Sequence, residues 1–251
     1  MTGRYVAQVM GMPVSLALRG RHVADGVARA AWDAVVAELR AVDRVFSRFR
    51  TDSFLSRLGR GEIGVADCPP EVAEVLELGA RAERESYGAF SVRRRVDGES
   101  VLDTDGVVKG WAAERAARWL ELLPDTDFCL SAGGDLVCRA ESVPWRVGVE
   151  DPFGPGRVVA VVPVVRGGVA TSGTAHRGAH LVDARTGLPA RGIASVTVVA
   201  DSLTWADVDA TAAWALGGDA VEWLASRGRG GLVVWADGSI AVVSSGGVVA
   251  G

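Results

Sequence analysis

The feature that most constrains the fold is a change of hydrophobic periodicity about halfway along the chain. Up to residue 125 the clearest apolar pattern has helical spacing, whereas from residue 127 short β-branched runs follow one another, each broken by Gly, Pro or Asp. Five segments are predicted as helices: 24–46, 70–85, 109–122, 202–216 and 219–227. Because strands and helices do not alternate regularly, the sequence predicts an α+β fold rather than a doubly wound parallel sheet.

Hairpin signals lie near both ends of the chain. Two apolar runs, 4–10 and 13–19, flank Gly11, and a second pair of runs flanks the turn Asp237–Gly238. The last seven residues, 245–251, are expected to fray. The strand-rich half also contains a predicted strand at 179–184.

We expect one domain over residues 1–251, with a helix-rich half (about 1–125) and a strand-rich half (about 126–251). Residues 51–65 are predicted as a loop or short helix. Residues 87–108 are predicted as an irregular stretch that ends in a possible strand.

Composition excludes several classes of protein. The chain is 49% apolar and carries a formal net charge of −4, which argues against disorder and against nucleic-acid binding. No apolar run approaches the ~20 residues of a membrane span, and no signal peptide is recognised, so we expect a cytoplasmic protein. Three cysteines without a CxxC pair form neither a disulfide framework nor a zinc site. Cys129 and Cys138 lie in apolar runs and are predicted as small core residues.

The basic residues are unusually uneven in type. Of 27 basic residues, only Lys109 is a lysine. A lysine that persists among arginines can be one whose compact ammonium Arg cannot replace, although chance is an equal explanation from composition alone. Lys109 belongs to the segment Asp103–Gly110, which precedes a predicted helix, and a cation beside a helix N-terminus attracts anions. A plain surface loop is the alternative.

Other segments carry groups that suit phosphate and metal chemistry. Asp207 and Thr211 lie one helical turn apart, and together they offer the hard oxygen ligands that Mg²⁺ prefers. Helix-dipole compensation by Asp207 and back-bonding by Thr211 are the alternatives. The segments 170–174 and 180–187 place hydroxyls, an imidazole and a carboxylate at neighbouring strand ends, and 131–135 offers paired glycines. Taken singly, each of these segments is also typical of an ordinary turn.

The order of these segments resembles one family closely, the ApbE-type FAD:protein FMN transferases. The resemblance runs from about Met10 to the closing hairpin. The segments that carry it are Met10–Gly11, Phe46–Ser53, Gly88–Ser91, Asp103–Gly110, Ser131–Asp135, Ala170–Gly173, His180–Gly187, Ser195–Val198 and Ala206–Thr211. Ser91 stands where the family has Asp, Phe49 stands where Tyr is usual, and the stretch from 88 to 103 is shorter than is typical.

The resemblance implies a bilobed α+β fold, with mixed or antiparallel sheets flanked by helices and FAD in the cleft between the lobes. It further implies Mg²⁺-dependent transfer of the FMN moiety of FAD to a Thr or Ser hydroxyl of an acceptor protein, with release of AMP. A pyrophosphatase that converts FAD to FMN and AMP is one alternative, and an FAD-binding protein without transferase activity is another. An interaction module whose motifs are mere turns is a third. The acceptor and the oligomeric state stay open.

The resemblance also assigns residues. The metal ligands would be the side chains of Asp207 and Thr211 and the backbone carbonyl of Gly106. Lys109 and Asp207 would act in catalysis. For the base, our own hypothesis is His180, because an imidazole titrates near neutral pH, and Asp183 is the reserve in preference to His22 and His176, which are expected to be exposed. FAD would contact these residues: Met10, Phe49, Ala89, Phe90, Ser91, Asp103, Lys109 and Leu181.

Overall fold

An antiparallel sheet of nine strands organises the molecule. The computed structural model describes residues 2–96, 99–173, 182–244 and 247–250. The strands are β1 (Thr2–Val9), β2 (Met12–Gly20), β3 (Arg93–Val96), β4 (Glu99–Leu102), β5 (Thr126–Ala132), β6 (Asp135–Arg139), β7 (Trp145–Glu150), β8 (Val158–Val164), β9 (Arg166–Gly173), β10 (Ile193–Ala200), β11 (Gly230–Trp235), β12 (Ile240–Ser244) and β13 (Gly247–Ala250). The large sheet has the order β1-β2-β5-β6-β9-β10-β11-β12-β13, while β3–β4 and β7–β8 form separate hairpins.

Six α-helices accompany the strands in the described residues. They are α1 (Gly26–Phe46), α2 (Phe54–Gly59), α3 (Pro70–Glu85), α4 (Asp105–Glu121), α5 (Leu203–Leu216) and α6 (Ala220–Ser226), with short 3₁₀ turns at Val65–Asp67 and Gly217–Asp219. Local signals explain several of these bounds. Asp25 caps α1 by accepting a hydrogen bond from the Ala28 amide at 2.9 Å, and Pro70 begins α3 at its predicted residue.

The two faces of the sheet are covered differently. Alternate residues along a strand point to opposite faces, so Val137, Ala170 and Val233 join the core shared with α1, α4 and α5. Their strand neighbours Cys138, Val169 and Val234 lie on the other face, where β7 and β8 cover them. The predicted α+β fold, with antiparallel sheets flanked by helices, is therefore confirmed. The first half supplies β1 and β2 to this sheet, because β2 pairs with β5.

Helix α4 begins earlier than its pattern predicts, at Asp105 instead of residue 109. The Asp103 carboxylate accepts the Asp105 amide at 3.2 Å, and the Thr104 carbonyl accepts the Val108 amide at 2.9 Å, so the first turn forms ahead of the apolar stripe. Lys109 therefore lies within the helix and not beside its N-terminus.

Three further predictions need correction. Residues 93–96 and 99–102 pair as β3 and β4 inside the stretch predicted as irregular. Residues 247–250 do not fray but pair with β12, with Val249 opposite Val242. In the predicted strand 179–184, the described part contains only an isolated bridge between Asp183 and Leu188. In the described parts of the chain, no helix has the length and apolar character needed to cross a membrane.

Candidate active site

Lys109 is held between two buried carboxylates that come from different elements. Its Nζ atom lies 2.5 Å from Asp135 Oδ2, at the start of β6, and 3.2 Å from Asp207 Oδ1, on α5. Both aspartates are only 2% exposed. Three charged groups thus meet where α4, α5 and the sheet come together, and their charges sum to −1 when all are ionised.

Close contact between α4 and α5 makes this cluster possible. Gly110, the residue after Lys109, donates its amide to Asp207 Oδ2 at 2.9 Å. A Cβ atom at Gly110 would lie 2.8 Å from both Asp207 Cβ and the Leu203 carbonyl oxygen. Glycine therefore lets the backbone of α4 reach the carboxylate directly.

The electrostatics of the cluster follow from burial and charge. Burial opposes the charge on Lys109, but Asp207 and Asp135 overcome that effect and raise the pKa of Lys109 above its usual range. Burial raises the pKa of Asp207 to about 7, against the attraction of Lys109 and with the repulsion of Asp135. Lys109 therefore stays protonated near neutral pH and provides a fixed positive charge.

The three predicted metal ligands fall on neighbouring turns of α4 and α5. A Cβ atom at Gly106 would lie 3.9 Å from Thr211 Cγ2, and Thr211 Oγ1 is 3.0 Å from Ser172 Oγ. Among the described residues no group of three or more His, Cys, Asp or Glu could hold a metal ion. The predicted set does not need such a group, because it consists of one carboxylate, one hydroxyl and one carbonyl. These are oxygen donors of the kind Mg²⁺ accepts, so the residues fit the ion.

The segment 88–91 packs against the turn that contains Asp183. The Ala89 carbonyl accepts the Ala184 amide at 3.0 Å, while Phe90 is buried beside Gly106. Ser91 Oγ donates to Glu83 Oε2 at 3.1 Å and accepts the Arg93 amide at 3.0 Å. The side chains of Ala89 and Phe90 therefore belong to the core.

The remaining FAD contacts assigned by resemblance differ in exposure. Met10 adopts a left-handed backbone, with φ of 55°, in the β1–β2 turn. Phe49 is 89% exposed, and the Arg48 guanidinium lies 5.5 Å from its ring centre. The Asp103 carboxylate pairs with Arg48 at 3.0 Å and with Arg94 at 2.8 Å. His176, His180 and Leu181 lie outside the described residues.

The reserve base and His22 are both engaged by neighbours. Asp183 accepts a two-pronged contact from Arg185, with Nη2 2.8 Å from Oδ2, and these hydrogen bonds lower the pKa of Asp183. His22 Nδ1 lies 2.7 Å from Asp25 Oδ2. The His22 side chain is only 12% exposed, so the expectation that it is exposed is wrong.

Comparison with known proteins shows the family of the chain. The model of the ApbE family matches residues 10–95 and 93–235. The chain belongs to the ApbE family. A relative from Rhodobacter capsulatus, named FAD:protein FMN transferase, is 32% identical over 163 residues, which cover 59% of this chain and 31% of the relative. The chain thus matches about a third of the length of that curated relative.

Solved ApbE structures show the same fold over nearly the whole chain. The ApbE protein of Thermotoga maritima superposes with a TM-score of 0.84 at 21% identity and covers 97% of both chains. The flavin transferase ApbE of Vibrio cholerae gives a TM-score of 0.82 at 19% identity and covers 98% of both chains.

Three of the segments that resemble ApbE motifs, Asp103–Gly110, Ser131–Asp135 and Ala206–Thr211, each supply one residue of the Lys109 cluster. Asp135 in this cluster and Ser172 beside Thr211 are not among the predicted site residues. Both residues lie in segments that carry the family resemblance, Asp135 in Ser131–Asp135 and Ser172 in Ala170–Gly173. Asp135 Oδ1 also accepts the Thr171 amide at 3.1 Å, which ties β6 to β9 beside the cluster. The resemblance of Ser131–Asp135 to a family motif is the sequence signal that points to Asp135.

Proposed function

We propose that this ApbE-family chain transfers the FMN moiety of FAD to a Thr or Ser hydroxyl of an acceptor protein and releases AMP, with Mg²⁺ bound. The observation that carries the proposal is the position of Lys109 Nζ between the carboxylates of Asp135 and Asp207, where three of the segments that resemble ApbE motifs meet. The name of the Rhodobacter capsulatus relative supports the same activity.

The reaction breaks the pyrophosphate of FAD. The acceptor oxygen forms a bond to the FMN phosphorus, and the bond from that phosphorus to the AMP oxygen breaks. Bound Mg²⁺, held by Asp207, Thr211 and the Gly106 carbonyl, would neutralise pyrophosphate charge. Lys109 adds a compact positive charge whose position is fixed by its two carboxylate partners.

A base must remove the proton of the attacking hydroxyl. We assign this role to His180, because an imidazole titrates near neutral pH. Asp183 suits the role less well than the sequence suggested, because Arg185 Nε already donates to its Oδ1 atom and Arg185 Nη2 to its Oδ2 atom.

The residues proposed to contact FAD differ in how exposed their side chains are. The exposed Phe49 ring offers a flat apolar surface for one of the ring systems of FAD. Met10, Asp103, Lys109 and Leu181 complete the predicted contacts, while Ala89, Phe90 and Ser91 would contribute mainly through their backbone. Because the Asp103 carboxylate already pairs with Arg48 and Arg94, FAD would contact it alongside these two arginines.

The test is incubation of the full chain with FAD, Mg²⁺ and a candidate acceptor protein, followed by mass analysis of the acceptor and of the nucleotides. We expect AMP together with an acceptor heavier by one FMN. Free FMN and AMP would instead indicate a hydrolase, and unchanged FAD bound to the chain would indicate a binding protein.

Asp207→Ala should abolish Mg²⁺-dependent AMP release, because it removes the only carboxylate of the proposed metal set. Asp33→Ala, which changes an exposed aspartate on α1, is the control and should retain activity. Circular dichroism of both variants separates loss of chemistry from loss of folding. Full activity of a folded Asp207→Ala variant would refute the assignment.

A further inference from the structure

Cys129 and Cys138 face each other across β5 and β6, on the sheet face away from the Lys109 cluster. They are direct partners in the antiparallel ladder, and their Sγ atoms lie 3.1 Å apart. Only Gly133 and Gly134, both with positive φ, connect the two strands. Counted from this two-residue turn, the cysteines form a non-hydrogen-bonded pair, the type in which the side chains of opposite residues approach most closely.

This geometry suits a disulfide. Opposite Cα atoms in such a pair are about 4.5 Å apart, within the range of about 4.4–6.8 Å that disulfides span. Oxidation therefore requires only that the two sulfur atoms move together, without a change of strand register.

The two thiols differ in how solvent reaches them. Cys138 is 1% exposed and is covered by Val147, Val164 and Val169. Cys129 is partly exposed and lines a surface groove of about 280 Å³, together with Arg4, Ser15, Ser131 and Leu136. A small molecule in this groove can reach Cys129, while Cys138 lies behind it.

The surroundings also favour Cys129 as the reactive thiol. The hydrogen bond from Cys138 lowers the pKa of Cys129, against burial and with help from the positive charge of Arg19. The same hydrogen bond, together with burial, raises the pKa of Cys138.

We propose that Cys129 and Cys138 form a reversible disulfide by exchange with a low-molecular-weight disulfide, with Cys129 as the attacking thiol and Cys138 as the resolving thiol. The Cys129 thiolate attacks one sulfur of the small disulfide, forms a mixed disulfide and releases one small thiol. Cys138 then attacks Cys129 Sγ, the bond to the second small thiol breaks, and that thiol leaves. The protein loses two thiol protons and two electrons, and the small disulfide gains them as two thiols.

The disulfide would cross-link the β5–β6 hairpin, whose residue Asp135 contacts Lys109. Because the cysteines and Asp135 project from opposite faces of the sheet, the disulfide does not touch the ion cluster. Its direct effect is on the stability of the β5–β6 hairpin, since it restricts the unfolded chain.

The experiment exposes the purified full chain to glutathione buffers of increasing oxidised fraction and traps free thiols with an alkylating reagent. Residues 119–139 form one tryptic peptide that contains both cysteines, so oxidation yields a single peptide two hydrogens lighter and resistant to alkylation. The midpoint of thermal unfolding should rise on oxidation and return after reduction with dithiothreitol.

Variants separate the two roles. Cys138→Ser should stop at a mixed disulfide that carries one glutathione on Cys129, whereas Cys129→Ser should leave Cys138 unmodified. Cys68→Ser retains both thiols of the pair and should behave as the unaltered chain does.

Three results would overturn the proposal. The first is a stable mixed disulfide on Cys129 of the unaltered chain. The second is equal glutathionylation of the remaining cysteine of the pair in the Cys129→Ser and Cys138→Ser variants. The third is survival of both thiols at every buffer ratio while Cys68 reacts. Limited proteolysis of each variant confirms that its hairpin is folded, so that a negative result counts against the pair itself.

Discussion

At the scale of single residues, the lysine that stands out in the composition is also the cation at the centre of the candidate site. Lys109 Nζ fits between two carboxylates that lie 2.5 and 3.2 Å from it. An ammonium is compact, and its three donors can point toward separate acceptors, whereas a guanidinium is planar and wider. The chain uses Arg for all of its other basic residues, so a requirement for the lysine shape is testable by one substitution.

Lys109→Arg should lower the rate of AMP release from FAD by about a hundredfold, because it displaces a charge that must be positioned to within about an ångström. Single-turnover measurements on the folded variant provide the readout. Arg29→Lys, at an exposed position on α1, is the matched control and should leave the rate unchanged. An unaltered rate in Lys109→Arg would show that positive charge alone suffices and that the lysine is there by chance.

At the scale of elements, the site depends on how closely α4 approaches α5. Helix α5 is buried on nearly all sides and carries Asp207 within it. The backbone of α4 can come close to such a buried helix only where α4 has a small residue, and Gly110 is that residue. The hydrogen bond from the Gly110 amide to Asp207 depends on the same approach.

Gly110→Ala should reduce the free energy of unfolding by about 1–3 kcal/mol, because the added methyl group would overlap backbone and side-chain atoms of α5. This loss should occur even though Ala is favoured over Gly in a helix by about 1 kcal/mol. Gly26→Ala, at the open first residue of α1, is the control and should be neutral or stabilising. Urea unfolding measures both variants, and a stabilised Gly110→Ala variant would contradict the close approach.

At the scale of the whole molecule, a second buried carboxylate joins elements that are distant in the sequence. Asp209 on α5 is 1% exposed and pairs with Arg227 at 2.9 Å and with Arg229 at 2.6 Å. Arg227 also contacts Glu85 at the end of α3, at 2.9 Å. This network therefore links α3, α5 and the segment that enters β11.

Asp209→Ala should lower the free energy of unfolding by about 3 kcal/mol, because it leaves two arginines without their buried partner. Asp33→Ala, which breaks an exposed pair with Arg29, should cost less than about 1 kcal/mol. Denaturant titration of the two variants under the same conditions makes the comparison. Equal losses in the two variants would show that the Asp209 network does not stabilise the assembled fold.

Predictions that depended on neighbouring residues agreed best with the structure. Pro70 marked the first residue of α3, and the Asp237–Gly238 turn marked the closing hairpin, because caps and turns act over a few residues. The start of α4 was missed, since its first turn is fixed by Asp103 and Thr104 ahead of the apolar pattern.

The sequence by itself determined the fold class, the order of the family's motifs and most of the element types, because periodicity and turn chemistry are local properties. Only the tertiary structure decided that Asp135 joins Asp207 around Lys109 and that Arg48 and Arg94 both pair with Asp103. Each of these contacts depends on how separate elements and loops pack against one another. Such packing is set by burial over the whole sheet and its helices, and no short segment of sequence contains that information.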